Sequence, residues 1–423
     1  MRTNWGFVSA FVCLLLLTLA SCDSKDSEDQ TTIPPATESV LSDVPVPLSD
    51  MQKAKFASEN ADFAFVLFRK VLESQPADAN MVFSPLSISM ALGMLANGTD
   101  DDGSTAIARL MGFGGNIDEL NAYCRYVRET GSALDPEVAL SLANCAGIAY
   151  YEKPDKRFAG RLRTFYGADV MQLDFTKPAD VQTLNDWVAA QTSQKIQNMF
   201  QASDFRRETT FVLANASHFG APWTSPFSEE QTTMEPFLKE NGQQVSLPMM
   251  RQQLDDALMA TTSDYSSIVL PYGGRRQFSM TILLPASDKT VADVVAGLSA
   301  ASWSQLHGAL VSVKNVQVSL PRFSVDTGRM DLVGLLQGMG AKVTEWNLPF
   351  LLEDSDAGRV QDIFQNVRLD VMEKGAEGAV ASAIIGGRGS GTRFKASRPF
   401  VFVISDDTTH AIYFAGVFKG DAA

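Results

Sequence analysis

Histidine is scarce in this 423-residue chain: there are three, His218, His307 and His410, and none stands in a metal-binding or nucleophile-elbow context. There is no G-x-S-x-G, no H-E-x-x-H, no P-loop and no paired-cysteine metal motif. Hydrolase, metalloenzyme and nucleotide-phosphate chemistry therefore lack their usual signatures, so the chain reads as no enzyme and no cofactor is expected. The glycines around Arg388 lack the Lys-Ser/Thr ending of a phosphate cradle. His218, beside Phe219, reads as a structural ring at a strand end. Positive charge is also short, with 35 Lys and Arg against 49 Asp and Glu, a net charge of -14 and no basic stripe. That balance argues against nucleic acid and heparin-like polyanions as partners. Internal repeats are absent, and nothing within residues 51–423 reads as a linker. Although the length suggests two or three domains, one large α+β domain fits better, and an apolar share of 45% with 20% charged residues allows a substantial core.

Cysteine is nearly as rare, at four residues. Arg2 precedes an apolar run over residues 7–19, which is too short to span a bilayer as a helix and reads as a signal peptide, residues 1–21. Its end, Leu19-Ala20-Ser21-Cys22, resembles a bacterial lipoprotein box in which Cys22 becomes the lipidated first residue. The alternative is an ordinary signal peptide cleaved nearby. Acyl chains would anchor the mature protein at about 0.8 kcal/mol per buried CH₂. Residues 22–50 then form an acidic, proline-containing tether, and the expected location is the bacterial cell envelope, exported and lipid-anchored. Once Cys13 is removed and Cys22 acylated, Cys124 and Cys145 remain. One lone pair is no disulfide framework, and buried free thiols are expected.

Periodicity predicts a first helix over 53–72, with Phe56, Phe63, Val66 and Leu67 on one face. A second begins at Ser84 as cap with Pro85 at the first helical position and ends at Asn97-Gly98. Residues 181–199 read as a helix whose Trp187 packs on a sheet. Strands are predicted over 140–151, 210–219, 267–271, 278–284 and 316–323 from β-branched and aromatic content. Two apolar runs, 400–404 and 412–418, flank the polar turn 405–409 and form a hairpin buried on both faces.

The most informative segment is Glu373-Lys374-Gly375-Ala376-Glu377-Gly378-Ala379-Val380-Ala381-Ser382-Ala383-Ile384-Ile385. Alternation sets Ala376, Gly378, Val380, Ser382 and Ile384 on one face, with Glu377, alanines and Ile385 on the other. Such a strand could enter the middle of a sheet, yet Gly386-Gly387-Arg388-Gly389-Ser390-Gly391 follows at once, a composition suited to an exposed, protease-accessible loop. The segment reads as one with two homes.

This stretch resembles the hinge and reactive-centre loop of the serpins, a family of serine and cysteine protease inhibitors. Further motifs stand in the family's order: Asn80-Met81-Val82-Phe83-Ser84-Pro85-Leu86-Ser87-Ile88, Leu213-Ala214-Asn215 through Trp223-Thr224-Ser225-Pro226-Phe227, Val316-Gln317-Val318-Ser319-Leu320-Pro321-Arg322-Phe323, and Arg398-Pro399-Phe400-Val401-Phe402. The resemblance implies a fold of three sheets and about nine helices over residues 51–423, with an exposed reactive loop. It implies an irreversible inhibitor of serine proteases that acts as a suicide substrate, cut in its loop and trapping the acyl-enzyme as the hinge enters the large sheet. A monomer is expected.

By the same resemblance the hinge comprises Glu373, Gly375, Ala376, Glu377, Gly378, Ala379, Val380, Ala381 and Ser382. Gly378 stands where alanine is more usual, which adds roughly 0.5 to 1 kcal/mol of ordering cost. Arg388-Gly389 is the favoured reactive bond, since an arginine suits a trypsin-like pocket with an acidic floor. The commonest hinge spacing points instead to the bond between Gly389 and Ser390, and Ile385 stays open for elastase-like or papain-like proteases. Ser84, Ser87, Asn215 and Gln365 fall at the polar shutter beneath the sheet, Gln365 replacing a histidine that many members carry. Trp223, Arg322 and Glu373 fall at the breach, where insertion starts. The competing expectation is a non-inhibitory serpin acting as a binding or carrier module. An envelope enzyme with an unrecognised site is a third.

Overall fold

The structure is a computed structural model that describes residues 47–354, 358–360, 363–376 and 392–420. The first helix, Asp50–Ser74, starts three residues before its predicted position because Ser49 and Gln52 close a reciprocal capping box. Ser49 and Asp50, reckoned above to the tether, belong to this helix. Phe56, Phe63, Leu67, Phe68 and Val71 form its buried face. The second helix, Pro85–Ala96, is built as predicted: the Ser84 hydroxyl accepts the Ser87 N–H at 3.2 Å, and Asn97 ends the helix by donating to the Gly93 carbonyl at 2.8 Å. Almost every residue in it is buried. At Gly93 a Cβ would stand 2.3 Å from the Tyr166 hydroxyl, so glycine allows that ring to close against the helix.

Among the described residues there are nine α-helices and fifteen strands in three sheets of nine, four and two strands, the mixed architecture expected. The C-terminal hairpin, Phe400–Asp406 and Ile412–Phe418, lies inside the nine-stranded sheet and is buried throughout. Its strands pair with each other, while Met81–Phe83 covers one side and Phe278–Pro285 the other. The buried Asp406 carboxylate holds the turn by accepting the Thr408 N–H at 2.7 Å, the Thr409 N–H and hydroxyl, and the Tyr413 hydroxyl at 2.8 Å. Four donors satisfy a charge that would otherwise be expensive to bury.

Two predicted elements are corrected. The helix expected over 181–199 runs Pro178–Gln191: Pro178 occupies its first turn, and beyond Gln191 the Thr192 hydroxyl bonds back to the Val188 carbonyl while Ser193 and Gln194 turn left-handed at φ 49° and 65°. Trp187 does pack on a sheet, donating its indole N–H to Asp169 at 2.9 Å on the edge strand Asp169–Leu173. The strand expected over 316–323 is two strands: Val311–Pro321 belongs to the nine-stranded sheet and Phe323–Asp331 to the two-stranded one. Pro321 has no N–H to continue the ladder, so the chain changes sheets at Arg322.

Cys124 and Cys145 are buried and unbridged, as expected. They sit in separate apolar cores, one in the main core and one beneath the 178–191 helix. Burial pushes the Cys124 thiol up to about 12 and the Cys145 thiol upward as well. In the soluble form beginning at Asp23, neither thiol is expected to react with a thiol reagent at about pH 8 until the chain is unfolded. One fast-reacting thiol in the native protein would contradict this burial. No helix among the described residues is long and apolar enough to cross a membrane.

Candidate functional site

The four-stranded sheet contains Phe211–Pro222, flanked by Ala139–Ala149 from Phe211 to Gly220 on one edge. On its other edge, among the described residues, only Ala221 and Pro222 are paired, to the two-residue strand Gly375–Ala376. The strand Phe364–Val371 pairs with Phe323–Asp331 on one edge and has no described ladder partner on the other. The two unpartnered edges form the walls of a slot with Gly375–Ala376 at its head.

A tight turn carries the chain from one wall into the slot. The backbones of Met372 and Gly375 exchange two hydrogen bonds, at 3.0 and 3.1 Å, reversing direction through Glu373 and Lys374. Gly375 has φ +142°, and a Cβ there would stand 2.0 Å from the Ala221 carbonyl oxygen, so no other residue fits without moving the backbone. Ala376 follows in extended pairing with Ala221 and is 1% exposed.

Trp223 braces this turn. Its indole N–H donates to the Met372 carbonyl at 2.9 Å, its backbone N–H to the Lys374 carbonyl at 2.9 Å, and its ring stacks on Tyr272 at 4.1 Å and 11°. The Arg322 guanidinium lies 3.5 Å from the buried Glu373 carboxylate, which also accepts the Thr232 hydroxyl at 2.7 Å. The three residues assigned to the breach are thus brought together around one turn.

Lower in the slot, Gln365 and Ser84 are locked together, with the Ser84 N–H donating to Gln365 Oε1 at 3.1 Å and Gln365 Nε2 to the Ser84 carbonyl at 2.9 Å. Ser87 joins them through the helix cap. Asn215 stands apart from this group: it donates to Asn144 Oδ1 at 2.7 Å on the neighbouring strand, and Asn144 donates in turn to the Tyr166 carbonyl at 2.8 Å. Asn215 Oδ1 and Ser87 Oγ are buried without a hydrogen-bond partner.

The opposite face of the slot is crossed by the segment that links the 178–191 helix to Phe211. Lys195 in this segment reaches Asp370 on the 364–371 strand at 3.1 Å, and Asp204 pairs with Arg329 at 2.5 Å. The Arg329 guanidinium lies 3.5 Å over the Phe364 ring. Burial would raise the Asp370 carboxyl, but the Ser324 hydroxyl, Lys195 and Arg368 together hold it below the usual carboxylate range. His218 sits within the 211–222 strand opposite Ser141, not at its end as expected, because the strand runs on through Pro222. Burial lowers its pKa first, the Lys195 ammonium lowers it further, and Asp370 partly opposes both. Neither cross-slot ion pair was legible in the sequence, since both depend on the left-handed exit from the helix. Among the described residues no group of three or more His, Cys, Asp or Glu is placed to hold a metal.

The hinge residues Glu377, Gly378, Ala379, Val380, Ala381 and Ser382, the loop positions Ile385, Arg388, Gly389 and Ser390, and Cys22 lie outside the described residues.

Comparison with known proteins places this geometry. Residues 58–419 match the family model described as serpin (serine protease inhibitor). The chain is 30% identical over 360 residues to Iripin-3 of Ixodes ricinus, covering 82% of this chain and 90% of that protein. It is 25% identical over 414 residues to an uncharacterized serpin-like protein of Methanosarcina mazei, covering 96% and 95%. Among solved structures it superposes on thyroxine-binding globulin in complex with thyroxine with a TM-score of 0.78 and 27% identity, covering 87% of this chain and all of that one.

Proposed function

The chain belongs to the serpin family, whose members mostly inhibit serine proteases, and from that premise we propose that it is an irreversible suicide-substrate inhibitor of trypsin-like serine proteases. In this reading the protein supplies bait and trap and catalyses nothing itself. The attacking protease's serine oxygen bonds to the Arg388 carbonyl carbon, the Arg388–Gly389 peptide bond breaks, and the Gly389 amine departs with the proton. The ester that remains tethers the protease to the freed hinge. Insertion of that hinge as a new strand removes the ester from the geometry that water needs to hydrolyse it.

The observation that carries the reading is the register at the head of the slot. Gly375 is opposite Pro222 and Ala376 opposite Ala221, antiparallel, with the rest of the 211–222 edge unpaired among the described residues. Continued downward, the same register would set Glu377 opposite Gly220, Ser382 opposite Asn215 and Gly386 opposite Phe211, where the strand ends. The turn between Met372 and Gly375 gives the same answer from the other wall, setting Ser382 opposite Gln365. Ser382 would thus arrive beside Asn215 Oδ1, a buried acceptor with no partner, and offer it a hydroxyl. The small hinge residues suit a passage between two packed strands.

The energy scale is adequate. A strand of about ten residues gains a comparable number of backbone hydrogen bonds at roughly 0.5 to 1.5 kcal/mol net each, on the order of 10 kcal/mol. A typical domain is stable by about 5 to 15 kcal/mol, so deforming a captured protease is within reach.

The same proposal includes export on a signal peptide, residues 1–21, lipidation at Cys22 and a monomer tethered in the bacterial cell envelope, with papain-like cysteine proteases as secondary targets through Ile385. The likeness to thyroxine-binding globulin favours one competing reading, a non-inhibitory carrier. Mixing the form beginning at Asp23 with trypsin separates the two. A covalent adduct that survives denaturing electrophoresis, with the new terminus after Arg388, is expected. Clean cleavage with no adduct toward trypsin or other serine proteases would leave the carrier reading.

A further inference from the structure

At the foot of the slot lies a cavity of about 310 Å³. Its walls come from both sides of the sheet. Leu95 of the 85–96 helix and Leu213 of the slot wall belong to the main core, whereas Phe200, Phe205 and Val212 belong to the separate core under the 178–191 helix. Phe364 closes it from the other wall. The cavity therefore passes through the plane of the sheet in the gap between its two halves. A strand with one large apolar residue followed by a small one could fill only half of it, because consecutive side chains point to opposite faces.

We infer that this cavity is the seat of Ile384 and Ile385, the two consecutive large apolar residues that end an otherwise small-residue hinge. The inference rests on the insertion reading above. The register fixed by Gly375 and Ala376 sets Ile384 opposite Leu213 and Ile385 opposite Val212, both of which line the cavity. Residues directly opposite on a sheet share a face. Ile384 thus enters the main-core half with Leu95, and Ile385 the half beneath Phe200 and Phe205. The seat is at the last step of insertion, nine and ten positions below Gly375 in the chain, so the apolar pair completes the new strand where the small residues above it contribute little burial. Filling this seat secures the end of the strand nearest the captured protease and sets the balance between trapping and release.

The test compares three forms cut at Arg388 by trypsin: wild type, Ile384→Asp with Ile385→Asp, and Ile384→Val with Ile385→Val. The wild type is expected to unfold at a clearly higher temperature once cut, the aspartate pair to lose more than half of that gain with a several-fold smaller adduct fraction, and the valine pair to keep most of both. Val212→Trp, which fills the cavity from its wall, is expected to reproduce the aspartate result with an unaltered loop. A wild type that gains stability without forming an adduct, with the gain lost in the aspartate pair, would uphold the seat and overturn inhibition. An equal gain in wild type and aspartate pair would overturn the seat alone. No gain in the wild type would overturn both. Oligomers on gel filtration that vanish in the aspartate pair would place the occupant in a second copy and overturn the assignment within one chain.

Discussion

If the hinge inserts as proposed, Ala376→Arg should turn the protein from a trap into a substrate. Ala376 is 1% exposed, paired with the fully buried Ala221, and is the last described residue before the hinge continues. In the insertion reading the residues that follow extend the sheet from this point. A guanidinium in place of this buried methyl group must be accommodated where Ala376 already pairs with Ala221, and an uncompensated buried charge costs several kcal/mol. Each 1.4 kcal/mol by which entry is disfavoured relative to hydrolysis shifts the partition about tenfold. An adduct fraction at least tenfold below wild type is therefore expected, with cleavage of the loop undiminished. The measurement is the number of inhibitor molecules consumed per protease inactivated. Trapping retained at the wild-type ratio would refute the idea that insertion extends from the pairing at Ala376.

Trp223→Ala should be among the most destabilising single changes in the chain. The side chain is 3% exposed, its ring stacks on Tyr272, and its indole N–H satisfies the Met372 carbonyl in the turn above the slot. Removing a buried tryptophan of this kind costs about 3–5 kcal/mol. Trp223→Phe keeps an aromatic face and removes one of the two donors to that carbonyl, which the Gly375 N–H still reaches, so a smaller loss of roughly 0.5 to 1.5 kcal/mol is expected. Urea unfolding of the two variants checks both values. A loss below about 1 kcal/mol for the alanine variant would mean that Tyr272 and the turn hold together unaided.

What the sequence disclosed and what it hid divide along the range of the interaction involved. The Ser84 cap, with Pro85 after it, is local chemistry and stands as read. The C-terminal hairpin is legible because residues 400–404 and 412–418 are unbroken apolar runs within strands buried throughout. The end of the 178–191 helix was misplaced because its apolar pattern continues through Ile196 and Met199, which are buried but no longer helical. The eighteen-residue strand Gln244–Thr261 was passed over because Asp255, Asp256 and Arg251 interrupt its alternation on an exposed face. Within the site, Trp223, Arg322 and Glu373 were found by resemblance, whereas Asn144, the partner of Asn215, was not. That contact depends on the register between strands 139–149 and 211–222, which no single segment specifies.

The placement of the hairpin inside the nine-stranded sheet, between strands 81–83 and 278–285, bears on the order in which the protein can be made. Strand 278–285 has strand 400–406 as its neighbour, and strand 81–83 waits for strand 412–418. A chain emerging from the ribosome cannot join strand 81–83 to strand 278–285 within this sheet until residues 400–418 have been synthesised. Contacts of such long sequence separation close slowly, and the nascent chain stays unable to complete its core. If the chain is exported as proposed, this delay would keep it threadable through a translocation channel while the hairpin is still missing.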